Sequence, residues 1–180
     1  MASQEVILVT EKDEAIGTME KMEAHRRGVL HRAFSIFIFD SEGRMLLQKR
    51  AAEKYHGALL WSNTCCSHPY PEEKVELAAT RRLKEEMGFD TKLQNIFSFI
   101  YCETVENNLV EHEYDHVFVG EYEGKITLNE KEVDDFAYKN MSDIRRSIID
   151  RPDDYTKWFK IVFPRIEKWW TESYNVVSNG

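Results

Sequence analysis

Two short runs concentrate groups that bind metal or move protons: Cys65-Cys66-Ser67-His68 and Glu111-His112-Glu113. Side chains alternate across a strand, so in an extended chain Cys66 and His68 share one face with Cys65 opposed. By the same rule Glu111 and Glu113 share a face with His112 opposed. Two strands then each present a same-face pair of reactive groups. Adding His25 and His31 gives three imidazoles and two carboxylates, enough for one closed metal site drawn from distant parts of the chain. A third run, Glu72 to Met87, carries Glu73, Arg81, Arg82, Glu85 and Glu86. Carboxylates along one helix edge can hold a divalent cation against a diphosphate, because hard cations prefer oxygen ligands. Arg82 stands one helical turn before Glu86 and so lies on the same row. The alternative for this run is a solvated face laced with Arg–Glu pairs, and for any single histidine an ordinary packed or surface residue.

These groups need elements to carry them. Val75, Ala79, Leu83 and Met87 recur every four positions with Ala78 beside them, which predicts an amphipathic helix from Glu72 to Met87, stopped by Gly88. Ala33 to Phe39 and Met45 to Arg50 flank the turn-rich Asp40-Ser41-Glu42-Gly43 and read as a hairpin. Val6 to Thr10 is a short β-branched run, Trp61 to His68 reads as one extended segment, and Ile96 to Cys102 and Val110 to Tyr122 as strands joined by the polar Glu103–Asn108 stretch. Gly17 to Ala24 reads as a connection or helix, Phe136 to Tyr138 as a short edge strand, and Ser142 as the cap of a helix through Ile149. Tyr155 to Tyr174 reads as a helix that Pro164 kinks or breaks. Strands and helices mixed without regular alternation predict an α/β layer fold with a mixed sheet.

With 180 residues, 42% hydrophobic and 12% aromatic, the chain can bury one substantial core, and no composition shift marks a second domain. A net charge of −8 argues against nucleic acid or a membrane surface as partner, since both need an extended basic face. A small anion remains possible where a few cations converge. No apolar run approaches the roughly 20 residues that span a bilayer, and Met1 to Val9 lacks the pattern of a signal segment, so a cytoplasmic location is expected. Three cysteines, two of them adjacent, point to reduced thiols.

Ser67 to Phe89 can be laid over the Nudix box, G-x5-E-x7-R-E-U-x-E-E-x-G-U with U a bulky aliphatic. Glu73, Arg81, Leu83, Glu85, Glu86 and Gly88 fit, whereas Ser67 replaces the first Gly and Arg82 the Glu of the R-E pair. Asn63-Thr64-Cys65-Cys66-Ser67-His68-Pro69 resembles the cysteine motif of the type 1 isopentenyl diphosphate isomerases, and Val110-Glu111-His112-Glu113 resembles their glutamate motif. The spacing of His25, His31, Trp61 and Trp158 matches too, and Arg82 is a substitution that family shares. The resemblance implies a single Nudix-like domain over residues 1–180, a mixed β-sheet packed between helices. It also implies an enzyme that moves a carbon–carbon double bond in a five-carbon diphosphate, for isoprenoid biosynthesis, acting as a monomer or homodimer.

By that resemblance His25, His31, His68, Glu111 and Glu113 hold a first metal, whose mixed donors suit manganese, magnesium or zinc. Glu86 holds a second ion, magnesium, that bridges to the diphosphate. Lys21, Arg50, Lys54 and Arg82 occupy the positions that grip the diphosphate, where Arg offers a planar fork of donors and Lys a compact charge. Cys66 and Glu113 are the proton-transfer pair, Trp158 offers a π-face to a tertiary carbocation, and Tyr101 assists the proton relay. The competing reading is a Nudix hydrolase of a nucleoside diphosphate derivative, which the Arg82 substitution argues against. A non-catalytic metal-binding protein is weaker still, because no C-x2-C pair is present.

Overall fold

The strand that organises the molecule is the one between His31 and Phe39, buried along nearly its whole length. In this computed structural model, residues 4–177 are described, so the first residues of the Met1–Val9 segment lie outside it. In chain order the elements are β1 (Glu5–Val9), β2 (Ala15–Glu20), α1 (Lys21–Arg27), β3 (His31–Phe39), β4 (Met45–Arg50), β5 (Trp61–Ser62), β6 (Cys65–Ser67) and α2 (Val75–Met87). There follow β7 (Gln94–Thr104), β8 (Val110–Glu121), β9 (Val133–Lys139), α3 (Met141–Asp150) and α4 (Lys157–Val177).

Alternation along β3 builds two cores. Phe34, Ile36 and Ile38 face α2, where Ala78, Ala79, Leu83 and Met87 are fully buried against them. Phe37 and Phe39 face the other way, onto Phe159, Val162 and Phe163 of α4 and Ile144 of α3. The sheet therefore lies between α2 and the α3–α4 pair, the mixed sheet between helices expected from the sequence. It is mixed because β3 pairs parallel with β8, from His31↔Glu113 to Phe39↔Glu121, and antiparallel with β1, β4 and β6. A Leu83→Ala change should cost about 2–5 kcal/mol by leaving a cavity in the α2 core.

β3 and β4 pair only beside their turn, at Ile38↔Leu46 and Phe39↔Met45, and then diverge. The segment from Trp61 fills the gap, so it is not one strand: β5 pairs with β4 and β6 with β3. Between them Thr64 Oγ1 donates to Leu46 O (2.6 Å) and accepts from Ile38 N (3.0 Å), and Asn63 Nδ2 donates to Cys65 O (2.8 Å). Those side chains replace the missing ladder.

Other expectations are corrected in detail. Gly17 lies in β2, paired with β1 from Glu5↔Glu20 to Val9↔Ala15, and the helix begins only at Lys21. Most of β2 is exposed, so no apolar alternation announces it. α2 begins at Val75, and Asn140 rather than Ser142 stands at the N-cap position of α3, without a capping side-chain hydrogen bond. α4 runs through Pro164 without a break. Gly88 ends α2 at φ +77°, where a Cβ would lie 2.3 Å from Thr127 O, so both conformation and contact require glycine.

Candidate active site and metal centre

α1 is short, and Glu20 fixes its start by accepting from Met22 N (3.0 Å) and Glu23 N (2.8 Å). That places Lys21 and His25, one turn apart, on the same face. His25 Nδ1 lies 2.7 Å from Lys21 O, and His31 Nδ1 lies 2.8 Å from Val29 O. A carbonyl can only accept, so each Nδ1 carries a proton, and a neutral ring then has its lone pair at Nε2. Both Nε2 atoms are buried and have no hydrogen-bond partner. His68 Nε2 lies 2.9 Å from Glu113 Oε1, which is also 3.6 Å from His31 Nε2 and 4.0 Å from His25 Nε2.

The ligand atoms of His25, His31, His68 and Glu113 all lie within 4.8 Å of one another, and all four residues are buried. Two buried lone pairs with nothing to accept are costly, and a divalent cation among these four groups would satisfy both. The ring nitrogens turned away from the centre are held by backbone carbonyls in His25 and His31, the arrangement that orients metal-ligating histidines. Burial lowers His25 and takes His68 down to about 3, so both are neutral imidazoles near pH 7, the form that ligates. Burial works to raise Glu113, but His68 and His31 hold its carboxyl well below the ordinary range.

Glu111 stands outside this group of four. Its Oε1 lies 3.3 Å from His56 Nε2 and its Oε2 lies 3.5 Å from the Tyr101 hydroxyl, which donates at 2.7 Å to Glu113 Oε2. Burial first, then the Glu113 charge, pushes the Glu111 carboxyl well above its ordinary value.

One cavity of about 60 Å³ is lined by Lys21, Arg50, Lys54, Cys66, His68, Arg82, Glu86, Tyr101, Glu111, Glu113 and Trp158, whereas Trp61, Glu73, Arg81 and Glu85 lie outside its lining. Ligand pockets usually measure roughly 300–1,000 Å³, so the walls must part to admit a five-carbon diphosphate. β6 and β8 flank β3 on opposite sides, with Cys66 opposite Ser35 and Glu113 opposite His31, so the two residues share a face but stand on different strands at different levels of β3. Cys65 points into the α2 core instead. Burial, opposed by Arg50, pushes the Cys66 thiol up to about 12.

The cations are already engaged. Arg50 Nη2 donates to His56 O (3.0 Å), and its guanidinium sits 4.9 Å from the Trp158 ring. Arg82 donates to Glu86 Oε1 (2.5 Å) and Glu85 Oε2 (2.7 Å), and Gln48 Nε2 reaches Glu86 Oε2 (3.0 Å). Lys54 pairs with Glu132, which also lies 3.4 Å from Arg82.

Sequence reasoning passed over His56, Tyr55 and Ser35, which line the cavity, and Glu132 and Asp115, which contact its walls. Asp115 was findable: it continues the same face as Glu111 and Glu113, and it accepts from Ser35 Oγ at 2.8 Å. His56 sits in an aperiodic loop with no such signal. That loop is drawn against the cavity because Gly57, at φ +59°, has no Cβ; one would meet Arg50 Nε at 3.2 Å and Trp158 Cη2 at 3.3 Å.

The chain matches the NUDIX domain family over residues 29–159. It is similar in fold to a crystal structure from Deinococcus radiodurans (TM-score 0.69, 16% identity, 82% of this chain and 90% of that one). It is similar also to the MutT protein of Methanosarcina mazei Go1 (TM-score 0.64, 17% identity, 77% and 94%). Those identities speak for the fold alone. In sequence it is 49% identical to isopentenyl-diphosphate Delta-isomerase 2 of Photorhabdus laumondii over 91% of this chain and 96% of that protein. It is 45% identical to the isopentenyl-diphosphate Delta-isomerase of Pectobacterium atrosepticum over 94% and 95%. Agreement of that depth along nearly the full length of both proteins goes beyond a shared fold, and the chain belongs to the type 1 isopentenyl-diphosphate Delta-isomerases of the Nudix superfamily.

Proposed function

We propose that the cavity interconverts isopentenyl and dimethylallyl diphosphate by adding a proton at one end of the alkene and removing another from the allylic carbon, through a tertiary carbocation. The observation that carries this reading is the placement of Cys66 and Glu113 on the two strands flanking β3, facing one cavity that also holds four cations. One group delivers a proton and the other takes one, and because the interconversion is reversible their parts exchange with direction. Tyr101 holds Glu113 through its 2.7 Å hydrogen bond and can pass a proton along it. Trp158 is buried beside them and offers its face to positive charge, an interaction worth on the order of 2 kcal/mol when desolvated.

Lys21, Arg50, Lys54 and Arg82 bind the diphosphate, Arg82 and Lys54 exchanging carboxylate partners for phosphate oxygens. His25, His31, His68 and Glu113, joined by Glu111, would hold manganese, magnesium or zinc, and Glu86 would hold magnesium at the diphosphate. When bound, these ions supply fixed positive charge beside Glu113 and beside the phosphates. The protein acts as a monomer or homodimer, and three free cysteines fit the reducing cytoplasm. Among the described residues no helix is long and apolar enough to cross a membrane.

The test is to incubate purified protein with isopentenyl diphosphate and magnesium in heavy water. Dimethylallyl diphosphate carrying deuterium in its new methyl group is expected, and absence of product overturns the reading. A hydrolase would instead release phosphate from nucleoside diphosphate derivatives. Against that, Arg82 stands where the hydrolase box has Glu and is paired with Glu86.

A further inference from the structure

His56 enters the cavity from the loop between β4 and β5, and neither the four-residue metal cluster nor the diphosphate cations account for it. It is 5% exposed. On one side its Nε2 lies 3.3 Å from Glu111 Oε1. On the other its ring meets Trp158 edge to face, with centroids 5.5 Å apart and planes at 87°. A leucine or phenylalanine would fill the same space without burying a polar ring; Nδ1 is buried without a partner, so the polar contact the imidazole gains is that of Nε2 with Glu111.

The loop is tied down around it. Asn107 Nδ2 donates to Tyr55 O (2.9 Å), Gly57 N donates to Glu106 Oε2 (3.3 Å), and Arg50 Nη2 donates to the His56 carbonyl. A ring held by a loop fixed on three sides can itself fix its neighbours. Glu111 needs that support, because Tyr101 reaches only Oε2 and at 3.5 Å.

We propose that His56 is a positioning residue whose Nε2–H braces the Glu111 carboxylate toward the metal site while its ring, set perpendicular to Trp158, braces that indole. One side chain thereby sets the geometry of the metal end and the hydrocarbon end of the cavity together. The inference rests on the isomerase reading for the parts played by Glu111 and Trp158, but its first test does not use turnover.

His56→Phe keeps a ring against Trp158 and removes the nitrogen facing Glu111. His56→Gln keeps a donor at about the reach of Nε2 and removes the ring. Chelator-stripped parent and variants are titrated with Mn²⁺ by calorimetry, and their melting without metal reports whether each is folded. Loss of a group that orients a metal ligand typically costs about 10–100-fold in affinity, so His56→Phe should bind Mn²⁺ at least about tenfold more weakly. His56→Gln should remain within about threefold of the parent. With isopentenyl diphosphate, kcat should fall in both variants, by the metal defect in one and by the unsupported Trp158 in the other. KM should stay within about threefold, since the side chain contacts none of the four cations and Arg50 uses only the backbone carbonyl.

His56→Ala cannot overfill the site and must show both losses. Parent-like Mn²⁺ binding by His56→Phe, or equal weakening by His56→Phe and His56→Gln, overturns the proposal. Tighter binding by His56→Phe also overturns it, showing that His56 holds Glu111 away from the metal. A parent that binds Mn²⁺ but leaves isopentenyl diphosphate unchanged sinks the isomerase reading, while the Mn²⁺ comparison still decides the role of His56 toward Glu111.

Discussion

Glu113→Gln separates the charge of the candidate metal centre from its shape. Glutamine is nearly isosteric, but its one carbonyl oxygen can either accept from Tyr101 or take the place of Glu113 Oε1, which faces three imidazoles at 2.9, 3.6 and 4.0 Å, and in neither orientation does it carry charge. A ligand at 100 times its dissociation constant stabilises the native state by about 2.7 kcal/mol. In a protein of this length each kcal/mol moves the melting temperature by about 2–4 °C. Mn²⁺ at that concentration should therefore raise the Tm of the parent by about 5–11 °C. Even groups that merely orient ligands cost up to about 100-fold in affinity, and a ligating carboxylate should cost no less. At the same Mn²⁺ concentration the ratio of metal to dissociation constant then falls to about one, the stabilisation to about 0.4 kcal/mol and the shift to about 1–2 °C. Calorimetric melting of chelator-treated protein, with and without Mn²⁺, reads this directly. A Glu113→Gln protein whose Mn²⁺-induced shift equals that of the parent would refute the four-residue centre.

Cys66→Ala should lower isomerisation by roughly 10²–10⁴ while leaving Mn²⁺ binding unchanged, since Cys66 is not among the four clustered groups; turnover within tenfold of the parent refutes its part in proton transfer. Arg82→Glu sets two carboxylates side by side at the diphosphate end, so binding of inorganic diphosphate should weaken sharply by calorimetry. Parent-like binding makes Arg82 a bystander. Asp115 is buried, its Oδ1 has no partner, and burial followed by the Glu113 charge pushes its carboxyl well above the ordinary value. A raised folded-state pKa stabilises below the unfolded value near 4, and that contribution is lost as pH rises through the folded value. Glu111 acts in the same sense, whereas the lowered His25, His56 and His68 oppose it only below their unfolded value of about 6.5. The stability of metal-free parent relative to Asp115→Asn should therefore fall as pH rises from about 4, and a difference that does not change with pH contradicts the argument.

How far the sequence disclosed this arrangement depended on whether a group sat on a periodic element. The four-residue recurrence of Val75, Ala79, Leu83 and Met87 has a direct counterpart in the buried face of α2, because burial selects apolar residues at helical spacing. Strand parity was equally informative for Cys65 against Cys66, whose side chains go to opposite cores. Parity did not reveal that Trp61–His68 divides between two partner strands, since the division is made by Asn63 and Thr64 hydrogen bonds and not by any pattern of burial. β2 was missed because its residues are mostly exposed and leave no alternation. His56 was missed because a loop residue acquires its neighbours from tertiary ties, here Asn107, Glu106 and Arg50, which lie far from it or carry no periodic signal. Proximity in space was likewise not given by parity: Glu111 and Glu113 share a face, yet only Glu113 falls within the compact group of histidines.

The charge pattern along α2 explains how one fold can leave hydrolysis for isomerisation. In this chain Arg81 is tied to Glu73 and Glu85, and Arg82 to Glu85 and Glu86, so the helix carboxylates are largely neutralised by cations of the same helix. Glu86 lines the cavity and keeps a further polar partner in Gln48, which suits a single cation held against a diphosphate but not a helix crowded with metals around a scissile phosphate. The groups able to move protons lie elsewhere, on β6 and β8, across β3 from each other and close to neutral imidazoles. On the proposed reading, substrate anion and hydrocarbon meet different demands in one cavity: exchangeable charge at α2, and Trp158 with the buried groups of β6 and β8 where a carbocation must survive without water. On the proposed reading, Arg82 serves both demands, because it stands where the hydrolase box has a carboxylate and would give a phosphate donor in its place.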